Sequence, residues 1–221
     1  MRALAFLLLS GPACAQEFVE VPGRLSDDDF YRAVACAARP EGECRKPFLR
    51  WPEARRNRLT VRLASVADVV RPYQRELYER GLDAALAQIN GLDAGIRLSR
   101  TGEEADIEVH VVATAPGAVM RDTGVPDLDG EILPLGRVAL RTRGGVIREA
   151  LIAVSVEARR REIASILLEE ITQGLGLMTD IRGPAYARSL FSEDGNSVVR
   201  IEGQDAMALR RHYAADAPEE S

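Results

Sequence analysis

Lysine is almost missing from this chain: Lys46 is the only one, so nearly all of the 29 basic residues are arginine, and 34 acidic residues leave a net charge of -5. That sign opposes the grip on a phosphate backbone, and nucleic acid is not an expected partner. Aromatic residues make up 5% of the chain, too few for a surface on which bases or sugars stack. Histidine occurs only as His110 and His212, so three imidazoles cannot meet on one metal. There is no G-x-S-x-G elbow, no P-loop and no C-x-x-C pair, which removes the commonest sequence marks of acyl transfer, phosphate binding and dithiol redox work. No internal repeat divides the chain. What is present is a hydrophobic content of 46% over 221 residues, enough for one sizeable core.

The longest purely apolar run near the start, Ala3 to Leu9, is far short of the roughly 20 residues needed to span a bilayer. It follows Arg2 and precedes Ala13-Cys14-Ala15, the pattern of a secretory signal peptide over residues 1–15 cut after an A-x-A triplet. A lipoprotein anchored through Cys14 is the lesser reading, because Gly11-Pro12-Ala13 lacks the aliphatic residue such processing favours. Cleavage leaves Cys36 and Cys44, which bracket a Pro40/Gly42 turn. In an oxidising compartment that pair reads as a disulfide. The expected location is the periplasm or the extracellular medium.

Ser26 and Asp27-Asp28-Asp29 introduce a capped helix through Phe30 to Cys36. Residues 16–57 are expected to form an N-terminal extension carrying the disulfide. From 58 the punctuation predicts strand 58–63, a long helix from Pro72 to Ile89, and strands 95–99 and 105–112. A breaker-rich loop 115–136 follows, then strands 138–142 and 147–156 about Gly144-Gly145, a helix 157–175 and a closing helix 203–214. This order fits a mixed sheet carrying helices; the domain is expected over 58–214, with a disordered tail at 215–221.

On the helix before Leu177, Ile163, Leu167, Leu168, Ile171 and Leu175 share an arc of about 140° that faces a core. Ser165, Glu169, Thr172 and Gln173 share a polar face, and Glu170 falls at the rim of the apolar arc. A carboxylate at such a rim is partly desolvated unless paired, and its pKa rises. Gly176 suits a left-handed helix stop, and Gly174 suits a close approach by another backbone.

The run Leu168-Glu169-Glu170-Ile171-Thr172-Gln173-Gly174-Leu175-Gly176-Leu177 resembles the active-site helix of metzincin zinc peptidases, H-E-x-x-H-x-x-G-x-x-H or D. In that likeness Glu169, Gln173 and Thr179 occupy the ligand positions, Glu170 the general-base position and Gly176 the helix-ending glycine. Ala105 to Val109 is similar to the strand along the metzincin cleft, Ser189-Leu190-Phe191 to the methionine turn with Phe191 in place of methionine, and Gly203 to Tyr213 to the closing helix. The L-E-E-x-T-Q-x-L-G-L run, the cysteine pair and the S-L-F triplet also resemble an uncharacterised bacterial zincin-like family, domain of unknown function 2927. The resemblance implies an α+β, zincin-like fold with a mixed, mostly parallel sheet, two long helices and a C-terminal helix. It also implies a cleft formed by Glu169, Glu170, Gln173, Thr179 and Asp180.

A carboxamide and a hydroxyl are weak, neutral, hard donors, suited to calcium or to no metal rather than to zinc. Ordinary zinc-peptidase chemistry is therefore not expected, and no cofactor is. Two classes remain. One is an inactive, metalloprotease-like protein whose cleft binds a peptide, an envelope component or a protein partner. The other is a metal-free or calcium-assisted hydrolase in which Glu170 is the general base. The acidic segment Asp122, Asp127-Leu128-Asp129-Gly130-Glu131 is a weak calcium candidate, since its spacing departs from the EF-hand. His110 and His212 are expected at the surface or in packing roles.

Overall fold

The computed structural model describes residues 18–195 and 197–214; the expected signal peptide at 1–15 and the tail at 215–221 lie outside the described residues. After a short strand β1 (Phe18–Glu20), helix α1 (Asp27–Cys36) begins where the Ser26 side chain accepts a hydrogen bond from the Asp29 amide at 3.1 Å. Three aspartates in its first turn face the positive end of the helix dipole. The helix stops at Ala37 in the left-handed conformation, and Cys36 is disulfide-bonded to Cys44. A single helical turn α2 (Glu53–Arg56) leads into the sheet.

The sheet is built from β2 (Leu59–Val66), β3 (Leu98–Arg100), β4 (Ile107–Val112), β7 (Gly136–Arg143) and β8 (Val146–Ser155), in the spatial order β3-β2-β4-β8-β7. Every neighbouring pair is parallel except β7–β8, which is a hairpin about Gly144-Gly145. The fold is thus mixed α+β with a mostly parallel sheet. Helix α3 (Pro72–Asn90) crosses from β2 to β3 and starts with proline at its first position, where a missing N–H costs nothing. Its last residue, Asn90, donates to Leu98 O at 2.8 Å and accepts from Leu98 N at 2.9 Å. Those bonds start β3 at Leu98 rather than Gly95.

Helix α4 (Ile163–Gly174) lies beside α3 on one face of the sheet. Leu167 and Ile171 join Leu59, Val61, Ile107, Val109 and Ile152 in the main core. The breaker-rich stretch 115–136 is not a bare loop. Strands β5 (Ala118–Val119) and β6 (Ile132–Leu133) pair antiparallel within it, and Met120, Val125, Leu128 and Leu133 pack on Val112, Leu151 and Ala153 on the opposite face of the sheet. This second cluster takes in Val112, while Glu108 and His110 on the same side of β4 lie against Arg62 and Ser65 of β2, so a strand whose alternation predicts half-exposure is buried along its whole length. After α4, β9 (Asp180–Arg182) pairs parallel with β1, and α5 (Gly203–His212) packs on α1. Residues 18–57 share the main core through Val19, Phe30, Val34 and Trp51.

The Cys36–Cys44 bridge closes a loop with a sequence separation of 8. Restricting the unfolded chain over such a loop is worth about 2–3 kcal/mol. Replacing both cysteines with serine should lower the unfolding free energy by that amount, read as a lower urea midpoint; an unchanged midpoint would show that the bridge contributes nothing.

Candidate functional site

The helix of interest starts at Ile163, six residues later than the sequence pattern predicts. Arg159, Arg160 and Arg161 stand just before it, and three cations at the positive end of a helix dipole are unfavourable. The chain turns there instead, with Glu162 accepting from the Arg159 amide at 3.1 Å. Once formed, α4 is enclosed almost completely. Ser165, Thr172 and Gln173, expected on a polar face, are as buried as the leucines, and from Ser165 to Gly174 only Glu169 is half-buried. The two hydroxyls turn back on their own helix, Ser165 Oγ donating to Glu162 O at 2.9 Å and Thr172 Oγ1 to Leu168 O at 2.7 Å. Bonding of this kind gives a buried hydroxyl an acceptor on its own helix.

Glu170 lies deeper than the rim of the apolar arc, at 3% exposure. The residue that buries it is Gly136, at the start of the antiparallel edge strand β7: a methyl group on Gly136 would overlap the Glu170 carboxyl. Glu170 Oε2 has no hydrogen-bond partner among the described residues. Burial therefore pushes the carboxyl well above the usual glutamate range, with the nearby charges of Glu169 and Asp180 acting in the same direction and Arg137 opposing them. Arg137 is itself held by Glu131 at 2.5 Å. The site thus favours the protonated, neutral form of Glu170.

Gln173 Nε2 donates to Asp180 Oδ1 at 3.0 Å, with both side chains buried. Thr179 is buried too, and its amide donates to Val34 O of α1 at 3.1 Å. The structure thus gathers Glu169, Glu170, Gln173 and Asp180 about the second half of α4 and the start of β9. The strand expected near the rim of the cleft is placed differently: β4 sits in the middle of the sheet between β2 and β8, and β7 is the strand that meets Glu170.

Gly176 adopts φ 104°, the left-handed stop its position predicts. A side chain there would overlap the carbonyl of Leu49, and that carbonyl also bonds His212 Nε2 at 2.8 Å. Gly174 has another role than the one its place on the arc suggests: Ala150 and Ile152 side chains, not a backbone, lie against it, and its carbonyl accepts from Trp51 Nε1 at 3.0 Å. His212 is fully buried, its Nδ1 3.2 Å from Tyr31 Oη, and burial depresses its pKa to about 3. It is a neutral packing residue. Asp205, which no motif signals, holds the Ser189-Leu190-Phe191 turn by accepting from Ser189 Oγ and Leu190 N, both at 2.7 Å. Ile181 of β9 donates to Phe191 O at 2.7 Å, so this turn lies against the strand that carries Asp180.

The acidic loop segment is engaged with its own protein. Asp127 pairs with Arg141, and Asp129 Oδ1 accepts from Thr123 Oγ1 at 2.6 Å and from Thr123 N at 3.1 Å. Among the described residues no group of three or more His, Cys, Asp or Glu side chains is placed to hold a metal ion. None of the described helices is long and apolar enough to cross a membrane.

The family model described as protein of unknown function (DUF2927) matches residues 27–216, and the chain belongs to that family. No curated protein matches it. The match begins at α1, so the disulfide and the helix that precede the sheet lie within the family's extent.

The buried carboxyl has a thermodynamic signature. Its folded pKa is raised, so the folded state holds a proton that the unfolded state releases near 4.5; wild-type stability is full below that pH and is lost as pH climbs toward the folded pKa. Glu170→Gln, which keeps the shape and cannot ionise, should match wild type at acid pH. Above about pH 5 it should become the more stable protein, by an amount that grows with pH at up to about 1.4 kcal/mol per unit. Urea unfolding of both proteins from pH 4 to 8 measures the gap; a gap independent of pH would show that Glu170 is ionised in the fold.

Proposed function

We propose that the protein is a secreted or periplasmic, zincin-like protein that has lost its metal and acts by binding rather than by hydrolysis. Its ligand is a peptide, an envelope component or a protein partner that meets the α4 face at Glu169. The observation that carries this reading is the buried hydrogen bond from Gln173 Nε2 to Asp180 Oδ1 at 3.0 Å. At the position where the metzincin pattern has its second histidine, the side-chain N–H is committed to a neighbour, and what is left for a cation is a neutral, hard amide oxygen, a weak donor toward zinc. Glu169 and Thr179, at the other two ligand positions, add one carboxylate and one hydroxyl, a set that neither binds zinc tightly nor lowers the pKa of a bound water.

Two further features favour the zincin-like part. The helix with the E-E-x-x-Q-x-x-G pattern runs beneath a mostly parallel sheet whose antiparallel edge strand covers its glutamate, and a left-handed glycine ends the chain's turn out of the helix. The disulfide favours an oxidising compartment, in line with the signal peptide expected at residues 1–15. The runner-up, a hydrolase in which Glu170 is the base, is weakened by the same burial: desolvation disfavours the ionised carboxylate that a general base must supply.

Elemental analysis separates the readings. The purified, dialysed protein should hold no stoichiometric zinc and should not cleave generic peptides, whereas the triple change Glu169→His, Gln173→His and Thr179→His should bring in zinc, read as about one metal per chain. About one zinc per wild-type chain after dialysis would sink the metal-free reading. Failure of a folded triple variant to take up zinc would sink the zincin-like geometry. Peptide hydrolysis by wild type that Glu170→Gln abolishes would put the runner-up in its place.

A further inference from the structure

A second cluster of reactive groups lies on the sheet face away from α3 and α4. Along β4, Ile107, Val109 and Val111 enter the main core, so Glu108 and His110 point to the other face, as the two-residue period of a strand requires. On the neighbouring strand β2 the register runs Leu63 to Val109 and then Ser65 to His110, an irregularity that inserts one extra residue, Ala64. Bulges of this kind re-aim side chains. Here the effect is to set Ser65, not Ala64, opposite His110, with Ser65 Oγ 2.9 Å from His110 Nδ1.

The imidazole is set up as a base toward that hydroxyl. His110 Nε2 is buried with no hydrogen-bond partner among the described residues, and its nearest charged neighbour is Glu108 Oε2 at 3.6 Å. The other Glu108 oxygen is held by Arg62 at 2.6 Å, which aims the carboxylate at the ring. A proton on Nε2 is favoured by that carboxylate, and it leaves Nδ1 as the acceptor for the Ser65 hydroxyl. Burial keeps the ring neutral, although Glu108 and Glu149 raise its pKa while Arg62 lowers it. Such triad contacts are often long without substrate and tighten when it binds.

Ser65 is exposed and opens into a cavity of about 350 Å³ beyond the carboxyl ends of β2 and β4, also lined by Asp68, Val112, Arg121, Asp122 and Thr123. The end of parallel strands is where open α/β sheets place ligands. We propose that Ser65, His110 and Glu108 form a nucleophilic acyl-transfer site for small carboxylic esters, separate from the α4 face. Ser65 Oγ attacks the ester carbonyl carbon as His110 Nδ1 takes the hydroxyl proton. The ester C–O bond breaks, and the departing alkoxide receives that proton from His110. Water then attacks the acyl-serine, passing its proton to His110, and the carboxylic acid leaves as the proton returns to Ser65. Glu108 touches no reacting atom and is a positioning residue.

A fluorophosphonate probe on the purified full chain tests this, with the adduct mapped by peptide mass spectrometry and p-nitrophenyl acetate turnover measured in parallel. Labelling should fall on Ser65, disappear in Ser65→Ala, and slow by at least about 100-fold in His110→Gln. Glu108→Gln should slow labelling and also move its pH midpoint downward, because the carboxylate that raises the His110 pKa is gone; a merely structural glutamate would not move that midpoint. Ser65 is exposed, so its alanine variant keeps the fold, and circular dichroism checks the other two. If His110→Gln is unfolded, the Ser65→Ala result and the Glu108→Gln midpoint decide. An unlabelled wild-type chain, an adduct elsewhere, or equal labelling in a folded His110→Gln variant overturns the proposal.

Discussion

The enclosure of α4 is the constraint on which the rest of this structure depends. Leu167, Leu168, Ile171 and Leu175 are all withdrawn from water, and burying each contributes about 1.5–3 kcal/mol. Their arc could have been covered by the sheet alone, leaving the other face wet. Instead α3, β7, Trp51 and Asp180 of β9 cover the remaining sides, so every polar group on α4 except that of Glu169 has to find its partner inside the protein. Ser165 and Thr172 do so on their own helix, and Gln173 does so on Asp180.

Glu170 is the exception that this enclosure creates. Leaving one carboxyl oxygen unpartnered costs about 1–3 kcal/mol for a neutral acid and more for an ion, which the apolar contacts around it exceed. Burial shifts the balance toward the protonated form, the cheaper of the two to enclose.

The opposite face of the sheet follows another rule. There the 115–136 excursion covers only part of the surface through Met120, Val125, Leu128 and Leu133, and a row of charged and polar side chains, Arg62, Glu108, His110, Arg141 and Glu149, fills the remainder in paired contacts. Cross-strand pairing on a partly solvated sheet face keeps such groups close without full desolvation. The single bulge in β2 decides that a serine joins the row.

Much of this was legible in the residues. The Ser26 cap, Pro72, Asn90-Gly91, Gly144-Gly145 and the left-handed Gly176 each act through their own backbone and immediate neighbours, so element order, the α+β class and the cysteine pair could be read without a fold. Position on a helical wheel also brought Glu170 to notice, because an arc is a local property. What lay beyond reach were relations between distant segments: Gly136 pressed on Glu170, Leu49 across Gly176, Asp205 beneath the 189–191 turn, and Ser65 opposite His110. Periodicity states which side of an element is apolar, not how many other elements will cover it, and register between strands is set by the whole sheet rather than by either strand. By itself the sequence determined the long helices, the main strands, their order and the oxidised loop; only tertiary packing decided the short strands β1, β5, β6 and β9, whose pairing partners lie outside their own segment, that the polar face of α4 is dry, and that a one-residue bulge sets a serine against a histidine.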